Sequence, residues 1–221
     1  MSRTIDERSV VLNVDGVNLR GDLRIPPTVN GVILFAHGSG SSRKSPRNRF
    51  VAEKLNESNL ATLLIDLLTE EEEVVDQRTG HLRFDIGLLA DRLSGATDWL
   101  KVDPEARSYP IGYFGASTGA AAALVASVQH PSVVKAVVSR GGRPDLANSI
   151  LERVTASTLL IVGGLDVVVI DLNQEALEQI HSHAEMKTVP GASHLFEEPG
   201  KLDEVAKLAA DWFSRYLNDA A

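Results

Sequence analysis

The chain has 221 residues, 43% of them hydrophobic and 24% charged, with no cysteine and a formal net charge of −8. That length and composition suit one ordinary globular domain over 1–221, and the absence of thiols excludes disulfides, cysteine–metal centres and a cysteine nucleophile. The acidic balance excludes a general nucleic-acid or anionic-membrane surface, no apolar run approaches the ~20 residues of a spanning helix, and the polar N-terminus lacks a signal-peptide core, so a cytoplasmic protein is expected.

In chain order, SVVLNV and NLRGDLRI flank Asp15-Gly16 and predict an antiparallel hairpin. Short, continuous, β-branched runs follow: VILFA (32–36), ATLLID (61–66), IGYFG (111–115), AVVS (136–139), LLIVGG (159–164) and KTVP (187–190). Runs of this kind suit strands buried on both faces. Between them lie the helical patterns NRFVAEKLNES, FDIGLLADRLSGATDWLK, TGAAAALVASVQ, DLNQEALEQI and DEVAKLAADWFSRYL. The alternation predicts an α/β fold: a mostly parallel sheet of about eight strands, helices on both faces and a hairpin at one antiparallel edge. Chemistry in such sheets sits at the carboxyl ends of the strands.

Two loops at those ends draw attention. HGSGSSRKS, from His37, is a glycine-rich turn after a buried strand, where exposed amides suit an anion. From Gly38 it falls one residue short of the nucleotide pattern G-x-x-x-x-G-K-[ST], with Asp66 at the end of ATLLID as a possible magnesium ligand. The same loop could form half of an oxyanion hole. The second loop is GASTG (115–119), between the strand IGYF and the small-residue helix AAAALVAS. A nucleophile on so tight a turn needs glycines two positions before and after it, where side chains would strike the neighbouring strand and helix. Gly115 and Gly119 meet that need, and Ser117 is presented at a helix N-terminus, where the dipole favours developing negative charge.

A serine nucleophile needs a base, and the base needs an orienting acid, in the chain order Ser, Asp/Glu, His for this kind of sheet. Asp166 follows LLIVGG and His194 follows KTVP, both on the rim that carries Ser117. Other candidates read as structural. Asp171 is expected to cap DLNQEALEQI, His181 and His183 to lie at a solvated helix end without a third metal ligand, His130 to face a helix C-terminus, and His81 to sit in a polar loop. No metal or cofactor is expected.

HGSGSSRKSPRN, IGYFGASTGAAAALVA, VSRGGRPDL, LLIVGGLD and PGASHLFEEPG, in this order, resemble the α/β-hydrolase superfamily and most closely its dienelactone-hydrolase-like branch. The resemblance covers essentially the whole chain. It implies an α/β-hydrolase fold with Ser117 as nucleophile, Asp166 as acid and His194 as base. It further implies an oxyanion hole made by the N–H groups of Ser39 and Thr118. Dienelactone hydrolases proper carry a cysteine nucleophile where this chain has serine, which favours a general carboxylester hydrolase.

Only about twenty residues separate AVVS from LLIVGG, leaving room for the short helix DLANSILERV but no large lid. An open, shallow site disfavours long-chain lipids and suits a small ester or lactone. Arg43, Lys44, Arg47 and Arg49 follow the oxyanion loop, and Arg140 and Arg143 follow AVVS. Of these, Arg43, Arg47, Arg140 and Arg143 are candidates to grip a substrate carboxylate or phosphate, unless Glu70 to Glu73 neutralise them. A phosphotransferase would require glycine where Arg43 stands. A non-catalytic binding protein on the same fold would be expected to lack a member of the Ser117, Asp166, His194 set.

Overall fold

The structure, a computed structural model, describes residues 5–218. Its strands are β1 (Asp6–Val14), β2 (Val17–Ile25), β3 (Gly31–Ala36), β4 (Leu60–Ile65), β5 (Ile111–Ala116), β6 (Val134–Arg140), β7 (Ser157–Gly163) and β8 (Ala184–Val189). Its helices are α1 (Pro46–Glu57), α2 (Glu70–Thr79), α3 (Ile86–Val102), α4 (Thr118–Gln129), α5 (Val167–Gln179) and α6 (Lys201–Asn218). The strands form one sheet in the order β1-β2-β4-β3-β5-β6-β7-β8. The hairpin closes at Val14↔Val17 around Asp15-Gly16, and β2 runs antiparallel to β4. All other pairings are parallel.

Side-chain alternation explains the two layers of helices. Along β3, Val32, Leu34 and Ala36 pack with Leu89 and Leu93 of α3 and with the alanines of α4. Ile33 and Phe35 point the other way, against Val51 and Leu55 of α1 and Phe213 of α6. β3 and β5 are neighbours, yet the chain leaves β3 towards β4 and leaves β5 towards β6. This is the point where strand order reverses, and loops there diverge to leave a crevice for ligand. Both the loop after β3 and the turn after β5 open onto it.

The structure departs from sequence expectation in three places. TEEEE, outside every helical pattern named from the sequence, opens α2. Thr69 caps α2 in a reciprocal capping box with Glu72, and all four glutamates lie in the first turn, where the helix dipole favours them. α5 starts at Val167, four residues before Asp171, so Asp171 lies within the helix and does not cap it. The segment between β6 and β7 is a 3₁₀ run, Pro144–Arg153, broken at Asn148 (φ 49°, ψ −137°), and no large lid covers the sheet end. Among the described residues, no helix is long and apolar enough to cross a membrane.

Candidate active site

Ser117 alone makes the turn between β5 and α4. Its backbone sits at φ 51°, ψ −120°, a conformation that costs of order 1–3 kcal/mol and persists only where the surroundings enforce it. They do so by close packing. A Cβ at Gly115 would lie 2.4 Å from Ala120 Cα, and one at Gly119 would lie 2.3 Å from the Ala36 carbonyl oxygen. The Ser117 N–H donates to the Arg140 carbonyl at 3.3 Å, and the Ser117 carbonyl accepts from Ala120 and Arg143. With the backbone tied on both sides, the side chain is left at the N-terminus of α4.

The loops after β7 and β8 bring the other two residues together. Leu165 N–H donates to the Ala192 carbonyl at 2.9 Å, and Gly164 N–H donates to that of Val189 at 2.8 Å. Across this seam His194 Nδ1 lies 2.6 Å from Asp166 Oδ2. A carboxylate can only accept here, so Nδ1 carries the proton and Nε2 is the basic atom. His194 also lies against the end of β6: a Cβ on Gly141, next to the Arg140 carbonyl that binds Ser117, would be 3.5 Å from His194 Nδ1. Among the described residues no hydrogen bond joins Ser117 Oγ to His194 Nε2. Such contacts often tighten only once substrate is bound.

Ser39 and Thr118 stand beside Ser117, with their hydroxyl oxygens 3.2 Å apart. Thr118 is the first residue of α4, so its N–H has no intrahelical partner. A groove of about 1230 Å³ lies beyond Ser39, between the β1–β2 turn, the 39–47 loop and the start of α2. It reaches the site only at that residue.

Of the four arginines singled out in the sequence, three are engaged by carboxylates other than Glu70 to Glu73. Arg43 pairs with Asp66 and, through Nε, with Asp22 at 3.3 Å. Arg47 reaches Glu197 at 2.8 Å, and Arg143 holds Asp145 with two bonds of 2.8 and 2.7 Å. The α2 glutamates have their own partners: Glu70 pairs with Arg20 and Glu72 with Arg92. Arg140 differs. It is 6% exposed, and among the described residues its side chain makes one hydrogen bond, from Nη2 to Asn48 Oδ1 at 3.3 Å. Burial, with Arg47 nearby, pushes its titration down to about 10.

His81, His130 and His183 fall outside the site. His81 bonds Thr79, His130 bonds Ser94, and His183 stacks on Trp212 and reaches Glu185. Sequence reasoning passed over Glu198, whose carboxylate accepts the Ser193 N–H at 3.1 Å and steadies the turn before His194. It also passed over Glu73, which borders the small cavity shared by Ser39 and Thr118. Burial, then the neighbouring Asp76, raises the Glu73 carboxyl above its ordinary value. A glutamate three residues past PGASH was a faint signal for Glu198; nothing local marked Glu73.

Comparison with known proteins agrees with this architecture. A dienelactone hydrolase from Anabaena variabilis ATCC 29413 is 60% identical, with a TM-score of 0.95 over 97% of this chain and 100% of that one. An α/β serine hydrolase from Xanthomonas campestris, described as lacking a lid, shares the fold at 18% identity and a TM-score of 0.77, over 96% of this chain and 95% of that one. Two strains of Mycobacterium tuberculosis carry a protein provisionally named a phosphoribosyl transferase that is 57% identical over 201 residues. The match covers 91% of this chain and 44% of the length of those relatives. The sequence profile of the dienelactone hydrolase family matches residues 25–218, nearly the whole of the described fold, and the chain belongs to that family.

Proposed function

We propose that the protein is a serine hydrolase that cleaves small carboxylic esters or lactones through an acyl-enzyme on Ser117. The observation that carries this reading is the His194–Asp166 hydrogen bond of 2.6 Å on the rim where Ser117 occupies a strained turn. In this reaction His194 Nε2 takes the Ser117 proton as Oγ attacks the carbonyl carbon. The carbonyl oxygen becomes an oxyanion held by the N–H groups of Ser39 and Thr118. The proton passes from His194 to the leaving oxygen, the C–O bond breaks, and the acyl group stays on Ser117. Water, deprotonated by His194, then attacks the acyl carbon, and Ser117 recovers its proton as the acid product leaves. No cofactor enters these steps.

The short 3₁₀ segment after β6 leaves the site open, which suits a small or cyclic ester better than a long acyl chain. Arg140, next to the Ser117 turn and without a carboxylate partner among the described residues, supports a preference for esters that carry an anionic group. A nucleotide-binding reading is not favoured. Asp66, which would have to hold magnesium, accepts both the backbone N–H and the guanidinium of Arg43, so acid and loop amide are mutually engaged. The phosphoribosyl transferase name belongs to relatives more than twice the length of the matched segment.

Exposure to a fluorophosphonate probe tests the proposal. The wild type is expected to be labelled once and to lose esterase activity, and Ser117→Ala to be neither labelled nor active. Activity loss from Ser117→Ala is expected to reach at least about 10³-fold. An unlabelled wild type, or undiminished labelling of Ser117→Ala, would contradict it.

A further inference from the structure

The geometry points to His37 as the positioning residue of the oxyanion hole, an inference that rests on the serine-hydrolase reading above. His37 ends the strand-to-loop transition after β3 and is only 6% exposed. Both ring nitrogens have backbone partners that fix the tautomer. Leu67 N–H can only donate, and it reaches Nε2 at 3.0 Å, so Nε2 is unprotonated. The proton is therefore on Nδ1, which lies 3.0 Å from the Gly38 carbonyl oxygen, a pure acceptor. The Ser41 N–H donates to the same oxygen at 3.2 Å.

The consequence follows from the geometry of the peptide bond. In a trans, planar unit the Gly38 C=O and the Ser39 N–H point in opposite directions. Two donors pin that carbonyl, so the Ser39 N–H is aimed the other way, and the carbonyl cannot flip without breaking both bonds. The pinned unit is also pressed against the nucleophile: a Cβ on Gly38 would lie 3.0 Å from both the Ala116 carbonyl oxygen and Ser117 Cβ. The Ser39–Thr118 hydroxyl contact then holds the two oxyanion donors to each other. The Nε2 bond to Leu67 anchors the ring to the segment after β4. One face of the imidazole therefore aims the donor and the other only braces the fold.

Two substitutions separate these tasks. In His37→Asn the amide nitrogen stands where Nδ1 stood and can still donate to the Gly38 carbonyl, but nothing accepts from Leu67. In His37→Gln the amide oxygen can accept from Leu67, but the side-chain bond to the Gly38 carbonyl is lost and only the Ser41 N–H holds that oxygen. The readouts are kcat and KM for a p-nitrophenyl ester, the fluorophosphonate labelling rate, and thermal unfolding as a measure of bracing. Losing one oxyanion donor costs about 10²–10³ in kcat, and misaiming one is expected to cost about 10–10². His37→Gln should show that loss with KM within about threefold of wild type, because the donor acts mainly in the transition state. His37→Asn should retain at least about ten times the kcat of His37→Gln while being the less stable protein. Equal loss of kcat in the two variants, or loss that tracks only their stability, would overturn the inference while leaving the hydrolase reading intact. An unlabelled, inactive wild type would overturn both.

Discussion

Arg140 is held in an unusual way for a charged side chain. It is buried and, among the described residues, its side chain makes one long bond to a neutral amide and its Nε has no partner. A buried charge is normally paired, since removing it from water is costly. Arg47, whose charge adds to the cost of a charged Arg140, is itself drawn to Glu197. If Arg140 receives a substrate carboxylate, Arg140→Ala should lower kcat/KM for a carboxylate-bearing ester by about 10–100-fold, the value of a charge-assisted hydrogen bond. The matching neutral ester should change by no more than about threefold. Equal effects on the two esters would remove Arg140 from substrate recognition. The contrast with Arg43, Arg47 and Arg143 also shows what single residues in a sequence disclose. Ser117, Asp166 and His194 could be singled out because each sits in a local pattern that its proposed role requires. The partners of Arg140 and His37 could not, because Asn48 is 92 positions from Arg140 and Leu67 is 30 from His37.

At the scale of elements, β3 to β7 were legible because burial on both faces leaves continuous apolar runs, β1 and β2 because they flank the Asp15-Gly16 turn, and the helices α1, α3, α4 and α6 because they carry apolar stripes or small residues that pack on the sheet. α2 had no such signal. Its run EEEEVVDQRT buries only Asp76, so it lacks helical apolar periodicity. What holds it is its N-terminus: the Thr69 hydroxyl accepts the Glu72 N–H at 3.2 Å, and the Glu72 carboxylate accepts the Thr69 N–H at 2.8 Å. Thr69→Ala is expected to cost about 1 kcal/mol. α2 packs at the periphery, so the loss should register as faster amide exchange within Glu70–Thr79 and not as a large fall in global stability. Unchanged exchange there would mean that contacts along the helix, and not the cap, hold it. The start of α5 was missed for the opposite reason. Val167, Val168 and Val169 read as a continuation of an extended apolar run, yet Val167 and Val168 are exposed and the helix has already begun.

For the molecule as a whole, a buried neutral imidazole at the junction of β3 with the site ties stability to pH. Burial pushes His37 below its ordinary value of 6.5, outweighing the opposing pull of the Gly38 carbonyl and Asp66. Below that pH the unfolded chain binds a proton at His37 and the native protein does not, so ν_U exceeds ν_N and stability falls as pH falls. The loss begins near 6.5 and stops only at the lower native value; one proton gives a slope of about 1.4 kcal/mol per pH unit. His130 is shifted the same way, chiefly by burial, and adds to the slope. Further down, Glu198 and Glu185, held below the ordinary carboxylate range by Ser193 and Lys187 respectively, lose their contributions as they protonate. Urea unfolding of the wild type between about pH 5 and 7.5 should therefore show stability rising with pH below about 6.5 and levelling above it. In His37→Asn, which has no imidazole at this site, the rise should be smaller over the same range and the curve should shift down most at high pH. A rise of equal slope in both proteins would mean that His37 takes up its proton as readily folded as unfolded, so that Nε2 does not accept from Leu67. The ring would then not be the fixed neutral bridge that its two backbone partners require.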